Sequence, residues 1–189
     1  MSRMLIMSDL HLGHRNICKY RPGFASEEEH SEIIFDNLAT GLTKRDTIWF
    51  LGDVAFTKEW LARIKTLKCQ SKKLLVGNHD LERGITMADL VDTYDKCYAL
   101  LKKRNYWFSH CPIHPDEMRG KLGNIHGHLH DKIIDDPMYI NVSVEHTNYK
   151  PISIETVEEM HLAIQERHRG AMEYRTLNLA GHREYFDND

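Results

Sequence analysis

Several short apolar runs of the chain end in the same way, with Asp, Asn or His at the point where the run stops. The runs and their polar ends are 3–9 with Asp9 and His11, 46–53 with Asp53, 72–80 with Asn78 and His79, and 97–110 with His110. In an open α/β sheet, ligands bind just beyond the carboxyl ends of the strands. If the runs are strands of such sheets, their polar ends meet at one rim.

Helical patterns alternate with these runs in the first half of the chain. Ser26 and Glu29 stand in the positions of a capping box, and apolar residues follow them at helical spacing. A second helix is predicted over 57–67, with its apolar residues on one face. The resulting order of strand, helix, strand, helix, strand predicts a layered α/β domain.

The second half of the chain is richer in strand patterns. The predicted elements are a hairpin over 97–110 turning near Arg104-Asn105, short strands in "GNIHGH", "MYINVSV" and "PISI", a helix over 155–168, and a last strand in "AMEYRTLNLAG". No repeat or low-complexity tract divides the chain. We therefore expect a single domain over 1–189, with a C-terminal helix and tail over 155–189.

Composition narrows the class of protein. The 189 residues are 41% hydrophobic and 28% charged, as in ordinary soluble domains. A net charge of −3 gives no broad basic field, so tight nonspecific binding to nucleic acid has no electrostatic support. No apolar stretch reaches the about 18 residues of a membrane span. The four cysteines form no C-x-x-C pair, which indicates reduced thiols and a cytoplasmic protein.

Histidine is the unusual residue type, because seven of the 13 histidines lie in four short segments. The segment "NIHGHLHD" places His126, His128 and His130 at every second position. In a regular strand all three side chains would face one way. We expect the chain to turn sharply at Gly127, which leaves His126 as a supporting or packing residue.

Aspartate, asparagine and histidine together form a set of nitrogen and oxygen donors. No cysteine stands in an obvious ligand position, and Cys111 is expected to point into the core. Such donors suit Mn, Fe, Zn, Co or Ni and argue against a structural thiolate zinc site. Seven donors exceed the needs of one four-coordinate ion. They fit two ions, about 3.5–4 Å apart, that share one carboxylate and act on a phosphorus centre.

Five motifs stand in order along the chain, each after a predicted strand: "SDLHLGH", "LGDV", "GNHD", "SHCP" and "GHLH". Together they resemble the calcineurin-like metallophosphoesterases. The segments "SDLHLGHRNICKYRPGF" and "INVSVEHTNYKPISIETV" are similar to a small single-domain branch of that family in bacteria and phages. The resemblance covers residues 4–157. It implies an α-β-β-α fold, in which two packed sheets are flanked by helices and the active site lies at the carboxyl ends of the strands.

The resemblance also implies a ligand set. Asp53 would bridge two divalent ions, Mn²⁺ in vitro, with Fe, Zn, Co and Ni as alternatives. The remaining ligands would be Asp9, His11 and His130 for one ion, and Asn78, His110 and His128 for the other.

Further roles follow from the same resemblance. His79 matches the catalytic histidine and would act as general acid, while Asp80 would hydrogen-bond His79 and fix its tautomer. A metal-bridging hydroxide would be the nucleophile. We also expect His14 to contact substrate phosphate, with a surface histidine as the alternative.

The function expected from these residues is phosphoester hydrolysis. A compact chain leaves the site open, which favours diesters, including nucleotide substrates, over monoesters. The alternatives are a phosphomonoesterase, a nuclease, or a non-catalytic binding module on the same fold. A nuclease would need a basic or aromatic track beside the site, and the sequence shows none clearly. The sequence predicts no membrane partner and leaves the oligomeric state open.

Overall fold

Two β-sheets form the centre of the molecule. The computed structural model describes the backbone of residues 2–183 and the side chains of residues 2–171. The strands are β1 (Met4–Met7), β2 (Thr47–Phe50), β3 (Ser71–Leu75), β4 (Lys96–Tyr98), β5 (Leu100–Lys103), β6 (Tyr106–Ser109), β7 (Gly123–His126), β8 (Tyr139–Asn141) and β9 (Ile152–Ser153). One sheet has the order β4-β3-β2-β1-β9, and the other has the order β5-β6-β7-β8.

Parallel pairing brings the strand ends together. In the first sheet β1, β2, β3 and β4 are parallel neighbours, and only β9 pairs antiparallel. In the second sheet β6, β7 and β8 are parallel and β5 is antiparallel. The carboxyl ends of β1, β2 and β3 therefore open on one rim of the first sheet, as the sequence predicts.

The helices are α1 (Glu27–Gly41), α2 (Lys58–Lys65), α3 (Met87–Thr93) and α4 (Ile154–Arg183). Ser26 begins α1 by accepting the N–H of Glu29, whose own carboxylate returns to the N–H of Ala25. The predicted capping position is confirmed, although the return bond reaches one residue further back. Helix α3 was not predicted.

Residues in the central strands alternate between two cores. Ile48 and Phe50 of β2 pack with residues of α1 and α2, such as Leu38 and Ile64. Trp49 packs in the opposite direction, between the two sheets, with apolar residues of β6, β7 and β8. Helices therefore cover one face of the first sheet and the second sheet covers the other. This two-sheet α/β architecture confirms the predicted fold class.

Two predictions for the second half of the chain need correction, the start of the hairpin and the last strand. The hairpin itself is present, with Arg104 and Asn105 both at positive φ in its turn, as a tight two-residue β-hairpin requires. However, residues 96–98 leave it and join β3 of the first sheet. The predicted last strand in 171–181 is wrong, because α4 continues through this segment, which is rich in helix-forming Ala, Met, Glu and Leu. Residues 184–189 of the predicted tail lie outside the described residues.

No helix in the described part of the chain is both long and apolar enough to cross a membrane. The single-domain organisation and the cytoplasmic location stay predictions from the sequence.

A buried carboxylate fastens the start of β1 to the start of β2. Asp46 is fully buried and accepts the backbone N–H groups of Arg3 and Thr43 and the Thr43 hydroxyl. The Arg3 guanidinium also donates to it, and this hydrogen bond holds the Asp46 pKa below its usual range. Because half of the Arg3 side chain is exposed, most of the stabilisation comes from the buried backbone donors.

We expect Asp46→Asn to lower the free energy of unfolding by about 1–3 kcal/mol. A carboxylate with a depressed pKa stabilises the fold above its unfolded pKa of about 4, and the contribution disappears as the pH falls. The difference between wild type and variant should therefore be constant near neutrality and shrink below about pH 4. Urea unfolding at several pH values measures it, with the exposed Asp92→Asn as control. Equal stability of wild type and Asp46→Asn at neutral pH would contradict the account.

Candidate metal centre

The predicted metal ligands converge at the rim. We call the following seven residues the donor cluster: Asp9, His11, Asp53, Asn78, His110, His128 and His130. They follow β1, β2, β3, β6 and β7, so both sheets contribute. Loops after neighbouring strands stay paired beyond the strand ends, because the N–H of Asp9 donates to Gly52 and the N–H of His11 to Asp53. The rim is therefore a hydrogen-bonded surface.

The backbone of the donor cluster is unusual. Five of its residues have a positive φ of 51° to 70°, a conformation that residues with side chains rarely adopt: Asp9, His11, Asp53, His128 and His130. Such positions cost of order 1–3 kcal/mol each and concentrate at functional sites. The left-handed residues also explain "NIHGHLHD", since β7 ends at His126 and the next two histidines leave the strand direction.

Asp9 is held through one carboxylate oxygen only. Its Oδ2 accepts the hydroxyls of Ser8 and Ser143 and the backbone N–H of His128, all at 2.7–2.9 Å. Its Oδ1 is buried without a hydrogen-bond partner. Burial alone would raise the Asp9 pKa, but His11, His110 and Ser8 hold it well below its usual range. Asp9 is therefore an anion with one free oxygen.

Asp9 lies beside two histidines. One potential ligand atom each from Asp9, His11 and His130 lie within 4.8 Å of one another. His11 is buried with both ring nitrogens unpartnered, and its ring stacks on Phe56 at 5.0 Å between centroids. Buried polar atoms without partners are costly. A cation would satisfy Asp9 Oδ1 and one ring nitrogen of His11, so these three residues fit a metal ion.

A second group of donors surrounds His110. Its Nε2 lies 2.9 Å from Asn78 Oδ1, 3.2 Å from His128 Nδ1 and 3.3 Å from Asp53 Oδ2. The opposite nitrogen, Nδ1, donates to the carbonyl of Leu51, so Nε2 is the ring atom that faces the group. Burial lowers the His110 pKa, but Asp53 and then Asp9 outweigh burial and raise the pKa to about 9, so Nε2 carries a proton near neutrality unless a cation replaces it. The group therefore favours a positive charge at its centre.

Asp53 lies between the two groups. Its Oδ2 is 3.3 Å from His110 Nε2 and 3.8 Å from His11 Nε2, while its Oδ1 accepts the N–H of His79. The same carboxylate oxygen therefore faces one histidine of each group. Asp9 also lies within reach of Asp53 and His110, and the division of the ligands between two ions stays a prediction.

Glycines allow the close approach of backbone that the cluster needs. A Cβ at Gly52 would meet the His110 ring, and a Cβ at Gly77 would meet the Asp53 carboxylate. A Cβ at Gly127 would meet Ser8 Oγ and Asp9 Oδ2. Close packing at the site therefore leaves no room for a side chain at these three positions.

The contact predicted between Asp80 and His79 is wrong. Asp80 is buried, and its two oxygens accept the backbone N–H groups of Asp53, Val54 and Gly77. Burial raises the Asp80 pKa to about 6. His79 instead places its Nδ1 3.0 Å from Glu82 Oε1. Because its oxygens are taken up by the loops after β2 and β3, Asp80 fastens these loops together.

Cys111 also differs from expectation. It is exposed instead of pointing into the core, and its Sγ groups with His110 and His128 within 4.8 Å. Partial burial raises the pKa of the thiol above its usual value, so it stays protonated near neutrality. A neutral thiol is a weak ligand. Cys111 would therefore have to lose its proton before it could join His110 and His128 in binding a cation.

His126 takes the supporting role predicted for it. Its side chain is fully buried, packs edge-to-face against Tyr139, and has its Nδ1 2.8 Å from the carbonyl of Gly127. Burial lowers its pKa to about 4, so the ring is neutral.

A cleft of about 700 Å³ opens beside the donor cluster. His14 and His79 line it, together with aromatic rings of Tyr20, Phe56 and Tyr149. Burial and the nearby His11 lower the His14 pKa to about 4, so this side chain is neutral at pH 7. The predicted contact of His14 with substrate stays a prediction.

Two residues that sequence reasoning missed also line the cleft, Arg21 and Glu145. They form a salt bridge at 2.7 Å, and Glu145 also contacts His130 at 3.0 Å. Both lie in the two segments, beginning "SDLHLGH" and "INVSVEH", that carry the additional resemblance. Position in those segments was the only available signal, since the two residues are 124 positions apart.

Comparison with known proteins gives relatives of the same size. The uncharacterized protein MJ1445 of Methanocaldococcus jannaschii is 29% identical over 171 residues, covering 85% of this chain and 92% of that protein. The crystal structure of the protein of unknown function AQ665 from Aquifex aeolicus matches with a TM-score of 0.67 and 27% identity, over 85% of this chain and all of that chain.

A weaker structural likeness is to the nuclease MPE of Pseudomonas putida. It has a TM-score of 0.48 and 21% identity and covers 68% of this chain and 62% of that chain. No protein-family model matches the sequence. The function therefore has to be argued from the site itself.

We expect Gly127→Ala to destabilise the protein by about 1–3 kcal/mol, because the added methyl group displaces Ser8 or the Asp9 carboxylate. Gly23→Ala is the matched control, since a Cβ there meets nothing within 4 Å. Urea unfolding of the metal-free proteins compares the two variants. If both variants were as stable as wild type, the close packing at Gly127 would be refuted.

Proposed function

We propose that the chain is a phosphoester hydrolase that depends on two divalent metal ions and prefers phosphodiesters. The observation that carries the proposal is the position of Asp53, whose Oδ2 lies within 4 Å of one histidine from each donor group. Asp9, His11 and His130 would hold one ion, and Asn78, His110 and His128 the other. Mn²⁺ is the ion we would supply in vitro.

Two divalent ions at these positions would supply the positive charge that activates water and neutralises phosphate oxygens. The cluster itself carries two carboxylates, Asp9 and Asp53, so it would repel a phosphate group unless cations are bound. This repulsion makes activity depend strictly on added metal.

His79 is the group best placed to deliver a proton to the leaving oxygen. Its ring lies 5.9 Å from the His11 ring, and more than a third of its side chain is exposed to the cleft. The Asp53 carboxylate fixes its backbone N–H at 2.9 Å. The backbone of the residue that would donate the proton is thus hydrogen-bonded to the carboxylate that would be shared by the two ions, which would help to position His79 for the reaction.

The shape of the cleft supports a diester substrate. Tyr20 is 76% exposed at its edge, and Phe56 and Tyr149 add apolar wall. A monoester offers one substituent to such walls, whereas a diester offers two. We therefore expect a higher kcat/KM with Mn²⁺ on bis-para-nitrophenyl phosphate than on para-nitrophenyl phosphate. Clearly faster turnover of the monoester would contradict the diester preference and leave the hydrolase proposal standing.

Replacing His79 separates catalysis from metal binding. We expect His79→Asn to bind Mn²⁺ like wild type and to lose about 10²–10⁴-fold in kcat, because proton transfer is lost. The loss should grow as the leaving group becomes more basic. The exposed His114→Asn is the control and should keep full activity. Full activity of His79→Asn on poor leaving groups would refute the acid role.

Replacing Asp53 should affect both ions. We expect Asp53→Asn to weaken the binding of two Mn²⁺ ions together, since the shared charge is removed. Isothermal titration calorimetry measures the two affinities. Loss of only one ion would show that the carboxylate serves a single metal.

A further inference from the structure

Arg21 is a charged residue buried at the wall of the cleft, only 3% exposed. Its guanidinium donates from Nε and Nη2 to Glu145 Oε1, at 2.9 and 2.7 Å. Nη2 also donates to the backbone carbonyl of Asp9 at 2.7 Å. A buried arginine therefore connects the Glu145 carboxylate to the backbone of Asp9.

Arg21 makes two further contacts through Nη1, with the carbonyl of Leu10 at 3.4 Å and with His30. Its Nη1 lies 2.8 Å from His30 Nε2, and because arginine only donates, that nitrogen accepts. Burial, and then the charge of Arg21, lower the His30 pKa to about 3. His30 is thus a neutral acceptor, and Glu145 supplies the negative charge that balances Arg21.

Glu145 also sets the tautomer of His130. Its Oε1 lies 3.0 Å from His130 Nδ1, and a carboxylate accepts. Arg21 Nη2 lies further from the same Nδ1, at 3.5 Å, so the shorter contact with Glu145 places the proton on Nδ1 and leaves the lone pair of Nε2 free to bind a cation. A carboxylate in this position orients a ligating histidine and raises its basicity.

The other donor group has a different support. His110 donates its Nδ1 proton to the neutral carbonyl of Leu51 at 2.7 Å. One group therefore has a histidine backed by a charged carboxylate, and the other has a histidine backed by a neutral carbonyl. The two groups differ electronically even though both use aspartate and histidine.

We propose that Arg21 and Glu145 are positioning residues that selectively strengthen the Asp9–His11–His130 metal site. Glu145 orients and polarises His130, and Arg21 holds Glu145 and the Asp9 backbone in place. The two ions then bind with unequal affinity, the tighter one beside Glu145. This inference rests on the proposed two-metal function.

The test compares Mn²⁺ binding in wild type and Glu145→Gln by isothermal titration calorimetry, with native mass spectrometry to count ions. We expect the affinity for the tighter ion to fall about 10–100-fold and the affinity for the other to stay within about 2-fold. Glu155→Gln is the matched control, since this exposed carboxylate also pairs with an arginine at 3.0 Å but lies away from the cluster. It should bind both ions like wild type.

The stability of the metal-free proteins distinguishes a positioning role of Glu145 from a purely structural one. Lower stability of metal-free Glu145→Gln, with the ratio of the two affinities unchanged, would overturn the inference. Glu145→Asp keeps the charge and should lose less affinity than Glu145→Gln; it carries the same test if the glutamine variant does not fold. Unchanged affinities in both variants would also overturn the inference.

The proposed function is tested separately, by the number of ions that wild type binds and by its hydrolysis of phosphoesters. If wild type bound fewer than two Mn²⁺ ions, or hydrolysed no phosphoester with both ions bound, the proposed function would fail. If at least one ion binds, the positioning role is still tested, because the ion beside His130 must weaken in Glu145→Gln; if wild type binds no ion, the inference fails with the proposed function.

Discussion

The buried carboxylate of Asp9 is the interaction on which the site depends most. Its Oδ2 collects the hydroxyls of Ser8 and Ser143 and the N–H of His128, so it joins the ends of β1, β7 and β8. The two sheets are thereby held together at the rim by one anion. The other oxygen of the same carboxylate is left free. One side chain therefore both connects the strand ends by hydrogen bonds and presents a free oxygen to the candidate metal site.

This arrangement explains why strain is concentrated at the rim. Five residues of the donor cluster adopt positive φ, which an ordinary loop would relax by changing its path. Here the loops are held by backbone hydrogen bonds between the segments after β1 and β2 and by the carboxylate of Asp80. A site fixed by so many contacts keeps its donors close together. The same contacts keep two carboxylates near one another, an arrangement that bound cations would stabilise.

The rim and the donor cluster could be predicted from the sequence because both follow from local patterns. Apolar runs ending in Asp, Asn or His identify the strands, and parallel pairing then brings their ends together. The contacts of Asp80, Arg21 and Glu145 could not be predicted in this way. They depend on which backbone N–H or side chain lies opposite after folding, and the Arg21–Glu145 pair spans 124 residues. Helix α4 was underestimated because its apolar periodicity fades after the first turns, whereas helix propensity continues.

The most direct test of the two-metal account is a Mn²⁺ titration of the wild-type, metal-free protein that follows bound ions and hydrolysis of bis-para-nitrophenyl phosphate in the same samples. The account predicts two ions per chain, with little activity at one ion and full activity as the second binds. Full activity with one ion bound, or hydrolysis in the presence of a strong chelator, would contradict it.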